Sequence, residues 1–151
     1  ERLGGEQNVV IGIQIGITDD LEGMMFHIIQ KPFVEKIINT YYAKEVKDLK
    51  DLDEMDSSVM NEMGNITSGV YANSIAALTG MCVNIEAPIQ NCNTVGEILR
   101  IPLDHFSKLG DQIILVDEKY IIAGSEISSN MLLILEETSL RKLFNKLGLS
   151  D

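Results

Sequence analysis

A chain of 151 residues, 45% hydrophobic and 23% charged, has the size and composition of one globular domain with a single core and is not disordered. Twelve Lys and Arg against 23 Asp and Glu leave a net charge of -11, which opposes any sequence-independent hold on nucleic acid or an anionic bilayer. No apolar run reaches the roughly 18 residues that span a membrane and no basic-then-apolar leader opens the chain, so a cytoplasmic protein without a nucleic-acid or membrane partner is expected.

Residues 1–8 are polar and read as a lead-in. From Val9 to Ile17, Ile and Val alternate with Gly12, Gln14 and Gly16, a period of two that predicts a strand with one small or polar face. Thr18 to Gly23 is a turn by composition, with Gly23 expected at positive φ, and Met24 to Gln30 completes a hairpin. Pro32 suits a helix start, and the spacing of Phe33, Ile37, Ile38 and Tyr41 predicts an amphipathic helix to about Ala43. Lys44 to Leu52 is a charged connector.

The stretch from Asp53 to Gly80 predicts one long helix, capped by Asp53 at its start and Gly80 at its end, with Glu54 and Asp56 against the positive end of its dipole. At about 100° per residue, Met55, Val59, Met63, Ile66, Val70 and Ala77 form an apolar stripe expected to anchor the helix on the core. Beside it Ser58, Glu62, Asn65, Gly69, Ala72 and Ala76 share a face on which a carboxylate and a carboxamide point the same way over a surface of small side chains. By pattern alone Glu62 and Asn65 are more often a solvated flank than a site, and Gly64 and Gly69 more often mark close helix packing than function.

Met81 to Ile85 reads as a strand ending at Ala87 and Pro88. Thr94 with Glu97 matches a capping box, and Pro102 predicts a broken helix between Asn93 and Gly110. Asp111 to Val116, Tyr120 to Ala123 and Met131 to Glu136 read as strands, Gly124 to Asn130 as a turn, and Ser139 to Leu147 as a closing helix stopped by Gly148. Hairpin plus helix thus occurs twice, over 9–43 and 111–147. This predicts an α/β (α+β) sandwich whose two pseudo-symmetric units share one mainly antiparallel sheet, with the long helix packed on a face. Cys82 and Cys92 are expected to be buried or half-buried free thiols, and His27 and His105 packing or surface histidines. No metal-ligand set, Ser-His-Asp order, phosphate-cradling loop or dinucleotide fingerprint is present, so any catalysis must draw its metal and nucleophile from elsewhere.

In its setting the string SSVMNEMGNITSGVYANSIAALTG, followed by MCVNI and EAP, resembles the CheC/CheX/FliY family of response-regulator phosphatases. That family's signature is Ser or Asp, three residues, Glu, two residues and Asn, with a proline some twenty-odd residues later. Ser58, Glu62, Asn65 and Pro88 occupy those places. IGITDDLEG resembles the family's TG..EG hairpin turn with Asp19 in place of the usual glycine, and the C-terminal third is closer to CheC than to CheX. CheC-type members commonly carry a second Glu/Asn helix before the first hairpin. Almost nothing precedes that hairpin here, so residues 1–151 are expected to be a single CheC-like domain that either lost the helix at its N-terminus or works with one site. Apolar surface left uncovered in this way would favour a homodimer or a bound partner.

The resemblance implies hydrolysis of the phospho-aspartate of a CheY-type response regulator in chemotaxis. Asn65 would hold the attacking water, Glu62 would pair with the regulator's lysine, and Ser58 would be accessory. Gly69, Ala72 and Ala76 would face the partner and Pro88 would be structural. No cofactor is expected on this chain, Mg²⁺ being carried by the regulator. The alternative is a non-catalytic adaptor that, like FliM, serves the flagellar switch or, like CheC proteins, binds the receptor deamidase CheD.

Overall fold

The computed structural model describes residues 3–109 and 113–148. Its elements are β1 (Val9–Asp19), β2 (Gly23–Gln30), α1 (Lys31–Tyr42), a 3-10 turn (Leu49–Asp51), α2 (Glu54–Thr79), β3 (Val83–Ile85), β4 (Ile89–Thr94), α3 (Val95–Ile98), α4 (Arg100–Leu109), β5 (Ile113–Ile122), β6 (Ser125–Leu135) and α5 (Glu137–Lys146). One sheet runs β3-β1-β2-β6-β5, with β4 also paired to β1, and every pairing is antiparallel. The two hairpins meet through β2 and β6, so the expected pseudo-twofold lies between those strands and the α+β class is as predicted.

Alternation along β1 decides the layers. Ile11, Ile13, Ile15 and Ile17 point to the face covered by α1, α2 and α5, where they pack with Met25, Ile29, Val34, Met60, Ala72 and Leu143. Val10 belongs to the opposite face with Phe26, Ile28, Val95 and Ile98. Gly12 is there because a Cβ would come within 2.9 Å of the Phe26 ring and 3.0 Å of Ile98.

Several expectations need correcting. Gly23 has no positive φ; it is required because a Cβ would strike the Ile134 carbonyl across the β2–β6 pair. The left-handed residue of that turn is Asp19, at φ 77. Ser125 to Asn130 is strand rather than turn, because Ala123 and Gly124 alone, at φ 50 and 79, close a two-residue hairpin between Ile122 and Ser125. The expected strands at 111–116 and 120–123 are therefore one, with Asp111 and Gln112 outside the described residues.

β4 was not legible in the polar run IQNCNT. It continues the edge begun by β3: Ile17 pairs Ile85 and Gln14 pairs Ile89, so three residues, Glu86 to Pro88, face two on β1. Pro88 sits in this bulge, where no ladder donor is needed. The broken helix is as expected, but its break falls at Leu99, between α3 and α4. Pro102 lies in the first turn of α4, where proline is tolerated.

Candidate functional site

Helix α2 starts on a reciprocal capping box. The Asp53 side chain accepts from the Asp56 amide at 2.9 Å and Asp56 accepts from the Asp53 amide at 3.3 Å, while Lys44 Nζ bridges both carboxylates at 2.8 and 2.7 Å. The hydrogen bond from Lys44, then that from the Asp56 amide, holds the Asp53 carboxyl below its ordinary range, and the same bridge raises the Lys44 ammonium. The helix ends at Gly80, φ 74, as read from the sequence.

The buried face of α2 is Asp56, Met60, Gly64, Ser68 and Ala72. This corrects the expected apolar stripe in part: Val59 and Met63 pack half-buried against the core, but Met55, Ile66 and Val70 are 64%, 58% and 59% exposed and Ala77 is exposed too. Small side chains form the line closest to the sheet, and Val59, Met63, Tyr71 and Ile75 pack against the core on either side of it. Gly64 lies so close to the sheet that a Cβ would stand 3.2 Å from Ile13. Polar contacts fasten the helix on both sides of that point. Gln90 Nε2 donates to the Ser57 carbonyl and to Asn61 Oδ1, both at 2.9 Å; further along, Ser68 meets His27 Nε2 at 2.7 Å and Thr67 meets the Tyr120 hydroxyl at 3.2 Å.

Between these fastenings lie the expected site residues. Ser58 and Glu62 are exposed and Asn65 is half-buried, and among the described residues no side-chain hydrogen bond ties any of them down. Glu62 also lines a groove of about 550 Å³ between α1 and α2, walled by Ile37, Tyr41, Tyr42, Met63 and Ile66. Ala72, expected to face a partner, is 3% exposed and packs against the core, which a helical offset of two turns from Gly64 dictates. Gly69 and Ala76 are half-buried, and a Cβ at Gly69 meets nothing within 4 Å. The carboxylate and the carboxamide thus share an open face. A carboxamide there can donate to and accept from one water, and a carboxylate can receive an incoming cation.

Sequence reading missed Gln90 and the grouping of Ser68 with His27 and Glu118. A serine inside a helix and a histidine in an apolar strand were the available signals, but their pairing depends on the sheet. Near that group, burial first and the Glu118 charge next push the Tyr71 phenol up, and burial raises Tyr120 to about 12. Cys82, expected buried or half-buried, is exposed; Asp19 beside it raises its thiol first, and Cys92 is half-buried as read. His27 is a packed histidine, whereas the His105 side chain lies outside the described residues. Among the described residues no helix is long and apolar enough to cross a membrane.

No family model matches the chain. It is 30% identical over 152 residues to the CheY-P phosphatase CheC of Bacillus subtilis (strain 168), an alignment spanning 98% of this chain and 73% of that protein. The X-ray structure of Thermotoga maritima FliY matches with a TM-score of 0.68 at 20% identity, over 96% of this chain and 73% of the other. A chain of the CheX-CheY-BeF3-Mg²⁺ complex from Borrelia burgdorferi matches with a TM-score of 0.57 at 17% identity, over 87% and 79%. At those identities the two structures bear on the fold alone.

Proposed function

Since the chain belongs to the CheC/CheX/FliY family, we propose that it hydrolyses the phospho-aspartate of a CheY-type response regulator, with α2 laid over the acyl phosphate. The observation that carries this reading is the outward, unpartnered pair Glu62 and Asn65 on a helix fastened before and after it. An acyl phosphate already has a good leaving group, so the reaction needs a water aimed in line more than a strong base. The Asn65 carboxamide holds that water with one donor and one acceptor and brings no negative charge to the phosphoryl group. Glu62 pairs with the regulator's lysine and fixes the helix in register. The regulator brings the Mg²⁺, Ser58 is accessory one turn earlier, and Gly69 and Ala76 leave room for the partner's backbone.

The test is the decay of phosphorylated CheY with the parent chain, Asn65→Ala and Glu62→Lys. Asn65→Ala is expected to lose about 10²-fold in kcat with binding retained, and Glu62→Lys to lose binding. Two variants that match the parent would remove the assignment.

A second reading, an adaptor for CheD or the flagellar switch, draws on the exposed Met55, Ile66 and Val70 beside the same pair. Capture of CheD that survives Asn65→Ala but not Ile66→Asp, from a chain with no effect on phosphorylated CheY, would favour it.

A further inference from the structure

β5 ends the sheet on one side, and among the described residues no strand lies beyond it. A long edge with open backbone groups is a template for another chain, and charged side chains on it ordinarily keep that chain away. On β5 the order of the charges does the reverse. Outward from Glu118 the strand mirrors itself: Asp117 answers Lys119, Val116 answers Tyr120, Leu115 answers Ile121 and Ile114 answers Ile122.

Residues opposite each other in an antiparallel pair share a face of the sheet. Two copies of β5 centred on Glu118 would set each Asp117 against a Lys119 and each Leu115 against an Ile121. Leu115 and Ile121 are 47% and 79% exposed, on the face away from α2. Val116 and Tyr120, half-buried on the helix-covered face, would meet in the same way. Moving the centre to Asp117 or to Lys119 would instead set like charges opposite each other, so charge selects the register.

The side chains already present leave room for this pairing. Asp117 accepts from Asn130 Nδ2 at 2.7 Å and Lys119 Nζ stands 3.8 Å from Glu126 Oε1, both toward β6. A carboxylate has further lone pairs and an ammonium has three donors, so each can serve a second group. Glu118 would meet its own copy on the axis, but its carboxylate leans away from the edge across β6, with Oε1 3.6 Å from His27 Nδ1 on β2. Leu115 also walls an apolar groove of about 490 Å³ with Leu103, Ile113 and Leu132, and Ile121 of a second copy would come to its rim.

We propose that a second copy of this chain docks on β5, antiparallel and centred on Glu118, so that one sheet runs through both copies about a twofold axis. Each contact then occurs twice, as a twofold interface requires. This pairing stands whether or not α2 is the reacting helix.

An interface of one strand pair is at the small end of stable interfaces, so sedimentation of the chain from about 1 to 500 µM spans the association expected. The mass should rise with concentration from 16.7 kDa toward twice that value. Asp117→Lys and Lys119→Asp should each weaken the dimer about tenfold, because each sets two like-charge pairs across the axis. The chain carrying both changes should associate as the parent does, and a mixture of the two single variants should form the mixed dimer in preference to either alone. Should the charge variants fail to fold, Ile121→Asp, at an exposed side chain, carries the test through loss of the dimer. A parent that stays monomeric throughout overturns the proposal. So does a dimer that ignores these changes, or one that the double variant fails to restore.

Discussion

The two faces of α2 differ in a direction opposite to the one their hydrophobicity predicts. The fully buried line of the inner face, Met60, Gly64, Ser68 and Ala72, contains one large apolar side chain, with Val59, Met63, Tyr71 and Ile75 half-buried against the core beside it, whereas the outer face leaves Met55, Ile66 and Val70 mostly exposed. Apolar content alone therefore does not choose the buried side of this helix. Close approach does: a strip of small residues lets α2 settle onto Ile13 and Ile15, and dispersion contacts with the sheet depend steeply on that distance. The outer face is left to carry the carboxylate, the carboxamide and the apolar side chains that a partner protein would cover.

The largest effect expected from this contrast is at Met60, wholly buried against the β1 isoleucines. Met60→Ala should lose about 2–5 kcal/mol of stability, because the rigid sheet cannot collapse into the space. Ile66→Ala, the same kind of truncation one and a half turns away, should stay within about 0.5 kcal/mol. Chemical denaturation of the two variants measures the difference. Equal losses would mean that the outer face is also packed and the contrast is false.

Ala72→Leu comes next. Extra methylenes at a site already in contact with the core should cost about 1–3 kcal/mol through overpacking. Binding of CheY to the folded fraction should be unchanged, because the side chain points away from the partner's side. Weaker binding with an unaltered melting temperature would return Ala72 to the partner-facing surface.

A smaller and pH-dependent loss is expected for Asp53→Ala at the head of α2. The Asp53 carboxyl is held below its ordinary value of 3.8, so its contribution is present above that value and is lost as pH falls through the lower folded value. Lys44 is raised above 10.5, so its part is present below that value and disappears as pH climbs through the folded one. The melting temperature of the variant should therefore fall below that of the parent at neutral pH. The two curves should converge in strong acid; in strong base the gap should narrow but persist, because the Asp53 carboxylate still caps the Asp56 amide. High salt should narrow the gap, since the bridge is exposed.

Much of the fold was legible because its signals are local. The alternation of Val9 to Ile17, the cap at Asp53, the stop at Gly80 and the cap at Thr94 each need only their own neighbours, and each stands where the sequence placed it. What was lost depends on contacts distant in sequence. β4 has no apolar alternation, and only the edge of β1 makes a strand of it. Gly23 was read as a turn glycine but opens β2, and its reason for being glycine required knowing that the Ile134 carbonyl lies across from it. Ala72 was misplaced because the pattern gives the relative angle of two stripes but not which of them faces the sheet. Asn65 and Glu62 were legible as neighbours on one face; Gln90 and His27, which fasten the helix around them, were not.

The smallest effect expected is a gain. Gly69 is inside α2 with ordinary helical φ, and a Cβ there meets nothing within 4 Å. Gly69→Ala should therefore stabilise the chain by about 0.4–1 kcal/mol, because the unfolded state loses freedom and the helix loses nothing. A glycine that can be improved so cheaply for folding has its reason elsewhere. If the partner's backbone lies against α2 just beyond Asn65, the added methyl should raise the melting temperature and weaken CheY binding together. A stabilised variant that binds as the parent does would leave Gly69 without a contact role and would confine the partner's footprint to the turns that carry Ser58, Glu62 and Asn65.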